Sequence, residues 1–170
     1  SLAATVVFQP LSPLPNREVM LPAKYHSVIE RLYENLKLDR TVITSSQSPE
    51  KNAITDIAPI DADYCSKRGV LHLYTKNTGI NLAENVSALI AKYQPKITHI
   101  DLPLDNVAID SVVGTLNSIG FFFCALLPEF ALTDLIRLQA ITSLKPCDLD
   151  LNLINEDAIG LGDFICQSAC

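Results

Sequence analysis

The sequence predicts an α/β (α+β) domain with a mixed, mostly antiparallel twisted sheet of about seven strands and helices on both faces. The clearest evidence is the stretch 97–141, which changes from a strand pattern to a helical period and back to a strand pattern. Residues 97–102 are a β-rich run closed by Pro103, which strands tolerate poorly. From Asp105 onwards, apolar residues recur at helical spacings and form one stripe.

This helix and the strand after it complete a β-α-β unit. Asp105 or Asn106 can cap the start of the helix through a side-chain oxygen. Gly120 stands where a left-handed residue commonly ends a helix. Residues 121–123 are all Phe and open a strand that is too apolar to face water on either side. We therefore expect this strand at the centre of a covered sheet.

The same periodicities predict the remaining elements. We expect a single domain over 1–170, made of a strand-helix-strand region at 1–60, a core at 61–141 and a C-terminal tail and helix at 142–170. The plan of the first region also allows an interpretation as a weak internal repeat. Strands are predicted at 4–8, 40–44, 53–60 and 70–76, helices at 22–38, 82–93 and 155–167, and loops at 10–15, 61–68 and 144–154, the last of which can also be a short edge strand.

The composition argues against several classes of protein. Hydrophobic residues make up 48% of the chain and charged residues 19%, which is typical of a globular domain. No apolar run approaches the roughly 20 residues that span a bilayer, and no signal-peptide pattern is present, so we expect a cytoplasmic protein without a membrane partner. A net charge of −6 with only 13 Lys and Arg argues against a nucleic-acid partner.

The cysteines indicate reduced thiols and no metal site. They are Cys65, Cys124, Cys147, Cys166 and Cys170. Their number is odd and no CxxC pair occurs, and zinc would need His or Cys partners at spacings that are absent. The chain begins with Ser rather than Met, so we expect it to be a domain of a longer protein or a processed chain.

Several motifs resemble the GNAT superfamily of acyl-CoA N-acyltransferases. The turn at 105–106, the helix ending at 120–121, the aromatic strand and "DLIRLQA" at 134–140 are similar to its C-terminal half. More narrowly, "IDLPLD", "GFFFCALLPEF" and "LIRLQ" resemble the GNAT-like domain that follows a histidine-kinase-type ATPase domain in some anti-sigma-factor regulatory proteins. The resemblance implies acetyl-CoA or another acyl-CoA as ligand. It also implies a fused ATPase or anti-sigma domain, or another protein, as partner.

The resemblance places a pyrophosphate site before the helix at 82–93. Family members have a Gln/Arg-x-x-Gly-x-Gly/Ala loop there, whose backbone amides face the phosphates. The corresponding residues of this chain are Lys76, Asn77, Thr78, Gly79, Ile80 and Asn81. Lys76 keeps a positive charge, whereas Asn81 adds a side chain where a small residue is usual. Without the family, the loop is only a turn and a helix cap, and we expect Asn81 to cap the helix, with Glu84 three residues on.

The catalytic positions match the family less well. GNAT enzymes commonly place a Tyr general acid four residues before the Gly of the Gly-Phe pair, and Leu116 stands there, which cannot donate a proton. His72, near the presumed acyl end of its strand, is the best general-base candidate because imidazole titrates near neutral pH. A single His in a strand is also commonly a packed or edge residue. Tyr33 has a similar position in the first helix, and we expect it to pack in the core.

Three further polar residues carry no motif. His26 and His99 have no motif around them, and Glu129 is expected in a solvated loop.

The resemblance to the GNAT superfamily leaves two candidate functions. The first is a catalytically weakened domain in regulation or in partner or ligand recognition, and the second is an active N-acyltransferase. The missing Tyr and the altered loop favour the first. The GNAT fold also predicts that the strands flanking the helix at 82–93 are parallel neighbours, as a right-handed crossover requires.

Overall fold

The computed structural model describes residues 13–43, 59–75, 81–130, 132–142 and 156–169. The strands within them are β1 (Arg17–Val19), β2 (Arg40–Val42), β3 (Ile60–Cys65), β4 (Val70–Thr75), β5 (Ile97–Pro103), β6 (Phe122–Phe130) and β7 (Thr133–Ile141). The helices are α1 (His26–Leu36), preceded by a 3-10 turn (Ala23–Tyr25), α2 (Leu82–Tyr93), α3 (Ile109–Ser118) and α4 (Glu156–Ala169). None of these helices combines the length and the apolar character needed to cross a membrane.

The main sheet has five strands in the order β3-β4-β5-β7-β6. β4 and β5 are parallel, and the other neighbouring pairs are antiparallel. The predicted mixed, mostly antiparallel sheet is therefore confirmed, and so is the parallel pairing of the strands that flank α2. β1 and β2 form a separate parallel pair. The described strands thus lie in two sheets rather than in the single sheet that we expected.

The helices of the described residues all pack against one face of the main sheet. The crossovers β4-α2-β5 and β5-α3-β6 step in the same direction across the sheet, and right-handed connections then place both helices on the same side. The ring of Tyr25, just before α1, lies 5.5 Å from that of Phe123, and the ring of Phe164 in α4 lies 5.8 Å from Phe123. The expected arrangement with helices on both faces is therefore wrong for this part of the chain.

The ends of α3 follow local sequence signals. The side-chain oxygen of Asn106 accepts a hydrogen bond from the backbone N–H of Ala108 at 2.9 Å. Asn106 thus stabilises the turn before the helix, which begins at Ile109, later than expected. At the other end Gly120 has a φ of +93°, as predicted for the residue that ends the helix.

Two strand predictions need correction. Residues 61–65 belong to β3 rather than to a loop, because they pair with β4 across a turn that ends at Gly69, whose φ is +65°. β6 lies at an edge of the main sheet and not at its centre. Its Phe123 is nevertheless fully buried because α4 packs against it. The strands predicted at 4–8 and, apart from its last two residues, at 53–60 lie outside the described residues.

Candidate functional site

A row of polar side chains crosses the face of the main sheet opposite the helices. In-register pairing sets Asp63 of β3 beside His72 of β4, His72 beside His99 of β5, and His99 beside Gln139 of β7. Residues paired in this way project to the same side of a sheet, so the four share one face. We call Asp63, His72, His99 and Gln139 the polar row.

The two histidines of the polar row contact each other. Nε2 of His72 lies 3.1 Å from Nδ1 of His99, and the ring planes make an angle of 76°. Burial lowers the pKa of His72 below its usual 6.5. Burial, and then the charge of a protonated His72, lower the pKa of His99 to about 4, while a hydrogen bond with Gln139 acts in the opposite direction. Both rings are therefore neutral at pH 7.

An ion pair lies beside the histidines on the same face. Arg137 of β7 donates from Nε and Nη2 to the two carboxylate oxygens of Asp101 on β5, at 2.6 and 2.7 Å. The hydrogen bond to Asp101 raises the pKa of Arg137, so the guanidinium stays charged. After burial, the charge of Arg137 is the next cause that lowers the pKa of His72, whereas Asp101 and Asp63 raise it.

A cysteine of β6 also faces this ion pair. Cys124 lies at an irregularity in the pairing of β6 with β7, between Phe123 and Ala125. Burial raises the pKa of its thiol to about 11, and the charges of Arg137 and Asp101 act on it in opposite directions. The thiol is therefore protonated at neutral pH and is not an activated nucleophile.

A second polar cluster joins the β1-β2 pair to the β6-β7 hairpin. Arg40 donates to Asp134 at 2.6 Å, and their side chains are only 2% and 0% exposed. Glu129 accepts two hydrogen bonds from Arg17, each at 2.6 Å, and one from Arg40 at 3.1 Å. The hydroxyl of Tyr33 donates to Asp134 at 2.8 Å. We call Arg17, Arg40, Glu129 and Asp134 the ion network, in which the positive charges of two guanidinium groups neutralise the negative charges of two carboxylates.

The contacts of the ion network test the predicted places of Glu129 and Tyr33. Glu129 was expected in a solvated loop, which is wrong, because it lies in β6 with a φ of +54° and binds two arginines. Tyr33 is buried, as predicted, and burial, reinforced by the negative charge of Asp134, raises its pKa above the usual value. A tyrosine with a raised pKa is a poor proton donor. Leu116, which is not part of this network, is 0% exposed and lies in the core.

Only the last residue of the predicted phosphate loop lies among the described residues. Asn81 directly precedes α2 and makes no side-chain capping hydrogen bond. Its φ of −96° and ψ of 18° differ from the extended conformation that lets an N-cap side chain reach the first amides of a helix. The expected Asn81 cap is therefore wrong. The other loop positions lie outside the described residues: Lys76, Asn77, Thr78, Gly79 and Ile80.

Sequence reasoning selected His72 but missed Asp63, His99 and Gln139. Asp63 was expected in a loop, whereas His99 and Gln139 lie on strands whose alternation was readable, and for these two only the register between strands was missing. Once β4 and β5 are paired as parallel neighbours, His72 and His99 fall directly side by side. No motif marks such a pair, because the residues that form it lie 27 positions apart in the chain.

No family model matches the sequence, and no curated protein or solved structure shows a significant match to it. Within the described residues, no group of three or more His, Cys, Asp or Glu side chains is arranged to hold a metal ion. Cys65 and Cys124 are free thiols.

Proposed function

We propose that this chain is a GNAT-like domain of acyl-CoA N-acyltransferase fold that is catalytically weakened and acts in regulation or in recognition of a ligand or protein partner. The observation that carries the proposal is the parallel pairing of β4 and β5 through α2. The motifs that resemble the C-terminal half of the family fall on β5, α3, β6 and β7 in the expected order.

Loss of the family's proton donor supports a weakened function. Leu116 occupies the position of the general acid and is fully buried, so no proton can come from that place. Tyr33 commits its hydroxyl to Asp134. The thiol of Cys124, with its pKa raised to about 11, is also a weak acid. None of these side chains protonates a leaving thiolate efficiently at neutral pH.

The proposed ligand is acetyl-CoA or another acyl-CoA, held at residues 76–81. The first four N–H groups of a helix have no partner within the helix, and α2 begins directly after this loop. Because the side chain of Asn81 does not cap α2, it leaves these amides to a phosphate. A fused ATPase or anti-sigma domain, or another protein, is the proposed partner, and the proposed location is the cytoplasm.

An active N-acyltransferase is a second candidate, which one observation favours. His72 is neutral at pH 7 and lies beside a second neutral imidazole, which is a suitable arrangement for a general base that deprotonates an amine. This candidate needs catalysis without an acid at Leu116. Leaving thiolates of low basicity depart more easily without one, so the reaction would be slow but measurable.

An acetyl-transfer assay separates the two candidates. The purified chain is incubated with acetyl-CoA and a panel of primary amines, and the release of free thiol is followed against a protein-free control. We expect release at the uncatalysed rate. Fast release that His72→Ala abolishes and His26→Ala preserves would establish the enzyme and overturn the weakened domain. His26 is the matched control because it lies on α1, outside the polar row.

A further inference from the structure

We propose that His99, held by Gln139, is a positioning residue for His72: it accepts the Nε2–H of His72 and leaves Nδ1 of His72 as the basic atom of the polar row. This inference rests on the cross-strand geometry of the polar row and is independent of the proposed function. A ligand N–H or O–H would be received at that Nδ1 atom.

The contact between the rings allows only two arrangements while both are neutral. Of two facing imidazole nitrogens, one donates and the other accepts. If Nε2 of His72 donates to Nδ1 of His99, both rings carry their proton on Nε2. If Nδ1 of His99 donates, both rings carry it on Nδ1. A neutral histidine side chain intrinsically favours the Nε2–H tautomer, and only the first arrangement satisfies this preference in both rings.

Gln139 supports the same arrangement. It pairs with His99 on the side away from His72 and hydrogen-bonds the His99 ring. Nδ1 of His99 faces His72, so we assign the bond with Gln139 to Nε2 of His99. With the amide oxygen of Gln139 turned to the ring, Nε2 donates and Nδ1 of His99 is the acceptor.

The charges around the pair favour a proton on His72 rather than on His99. Asp63 faces His72 from β3 and Asp101 acts on it from β5, and both stabilise the protonated ring, while Arg137 on β7 opposes it. Nε2 of His72 is occupied by the contact with His99, so an added proton goes to Nδ1 of His72, and the exposed Asp63 is the neighbour of this residue on β3. A proton on His99 instead is opposed by the burial of that ring, which lowers its pKa to about 4. The basic atom therefore lies on His72, the histidine nearer to the edge strand β3.

The test is a two-bond proton-nitrogen correlation spectrum of the histidine rings in the whole 15N-labelled chain. The sequence has three histidines, so His26→Gln and His72→Gln assign all the signals. We expect the Nε2–H tautomer for His72 and for His99 at neutral pH, and on acidification the His72 signals should change first. The Nδ1–H tautomer for His72, or first protonation at His99, would overturn the inference.

Two substitutions separate positioning from a merely structural role. His99→Asn keeps an acceptor oxygen close to the place of Nδ1, whereas His99→Ala removes it. The tautomer ratio of His72 should be unchanged in His99→Asn and should shift about fivefold or more towards a mixture in His99→Ala, the change that one ordinary hydrogen bond produces. An unchanged ratio in both variants would overturn the positioning role. If His99→Ala does not fold, the wild-type and His99→Asn spectra still decide the tautomer of His72.

Discussion

Arg40 and Asp134 are 94 residues apart in the chain, yet Nε of the arginine lies 2.6 Å from Oδ2 of the aspartate. Their side chains are 2% and 0% exposed. The contact fastens the β1-β2 pair to the start of β7. Desolvation offsets much of the attraction in a buried ion pair, but removal of one partner leaves an uncompensated charge in the interior. We therefore expect the intact pair to add little net stability, whereas removal of either partner should lower the free energy of unfolding.

Asp134→Ala should lower the free energy of unfolding by about 3–5 kcal/mol, because buried Arg40 loses its nearer carboxylate and the hydroxyl of Tyr33 loses its acceptor. Arg17→Met is the matched control in the same ion network. Its side chain is 31% exposed, so its loss should cost only about 1 kcal/mol. Urea denaturation measures both. Equal, small losses in the two variants would contradict a buried charge pair at this position.

Stability should decrease as the pH falls from about 6.5 towards about 4 because of His99. Its pKa is about 4 in the folded chain against an ordinary 6.5, so the unfolded chain binds the proton first. At about 1.4 kcal/mol per pKa unit, reduced by solvent screening of a ring that is not fully buried, the loss should reach about 2 kcal/mol.

Denaturant titrations across this pH window check the contribution of His99. His99→Asn should flatten the slope of unfolding free energy against pH. His26→Asn, at a partly exposed position of α1 outside the polar row, is the control and should keep the slope. A wild-type slope that persists in His99→Asn would assign the loss of stability to another group.

Two glycines, one within α3 and one just after it, should respond to alanine with opposite signs. Gly114 lies within the helix, and a Cβ added there would meet no other atom within 4 Å. Gly114→Ala should therefore stabilise the chain by about 0.5–1 kcal/mol. Gly120 has the same open space but a φ of +93°, so Gly120→Ala should destabilise it by about 1 kcal/mol or more. Thermal midpoints should move apart by roughly 3–8 °C. Shifts of the same sign would contradict the backbone argument.

Placing the tyrosine of GNAT enzymes at Leu116 should not produce acetyl transfer. The position is 0% exposed, so Leu116→Tyr overfills the core and should cost about 1–3 kcal/mol. Thr115→Tyr, at the exposed neighbouring position, is the control and should leave stability nearly unchanged. The acetyl-transfer assay and urea denaturation are run on both variants. A clear gain of thiol release in Leu116→Tyr alone would contradict the buried orientation of this side chain.

Local signals predicted β5, α3 and the strand after it. The helical spacing of apolar residues, the capping residues 105–106 and Gly120 all lie within one short stretch. The edge position of β6 was not predictable in that way. The Phe run at 121–123 indicates a strand that is buried on both sides, and Phe122 and Phe123 are both buried. The position of β7 between β5 and β6 depends on pairing between strands that are distant in the chain, which no local sequence pattern indicates.

The candidate site depends even more on long-range pairing. The phase of each strand gives the face of its own histidine, but a slip of one residue between β4 and β5 would send His99 to the opposite face. Glu129 was misplaced for a similar reason, since its partner Arg40 lies 89 residues away. Single-strand patterns therefore yield His72 alone, and the register supplies its neighbours.

The central proposal, that this domain holds an acyl-CoA at residues 76–81, is tested most directly by calorimetric titration of coenzyme A. The wild-type chain should bind only in the high-micromolar range, about −5 to −6 kcal/mol, because the side chain of Asn81 stands where a close approach to the phosphates needs a small residue. Asn81→Gly should strengthen binding by letting the backbone approach the phosphates, and Lys76→Ala should weaken it. Lys92→Ala, at the far end of α2, should change nothing. Tight binding that is insensitive to Lys76→Ala, or no binding even by Asn81→Gly, would contradict the claim.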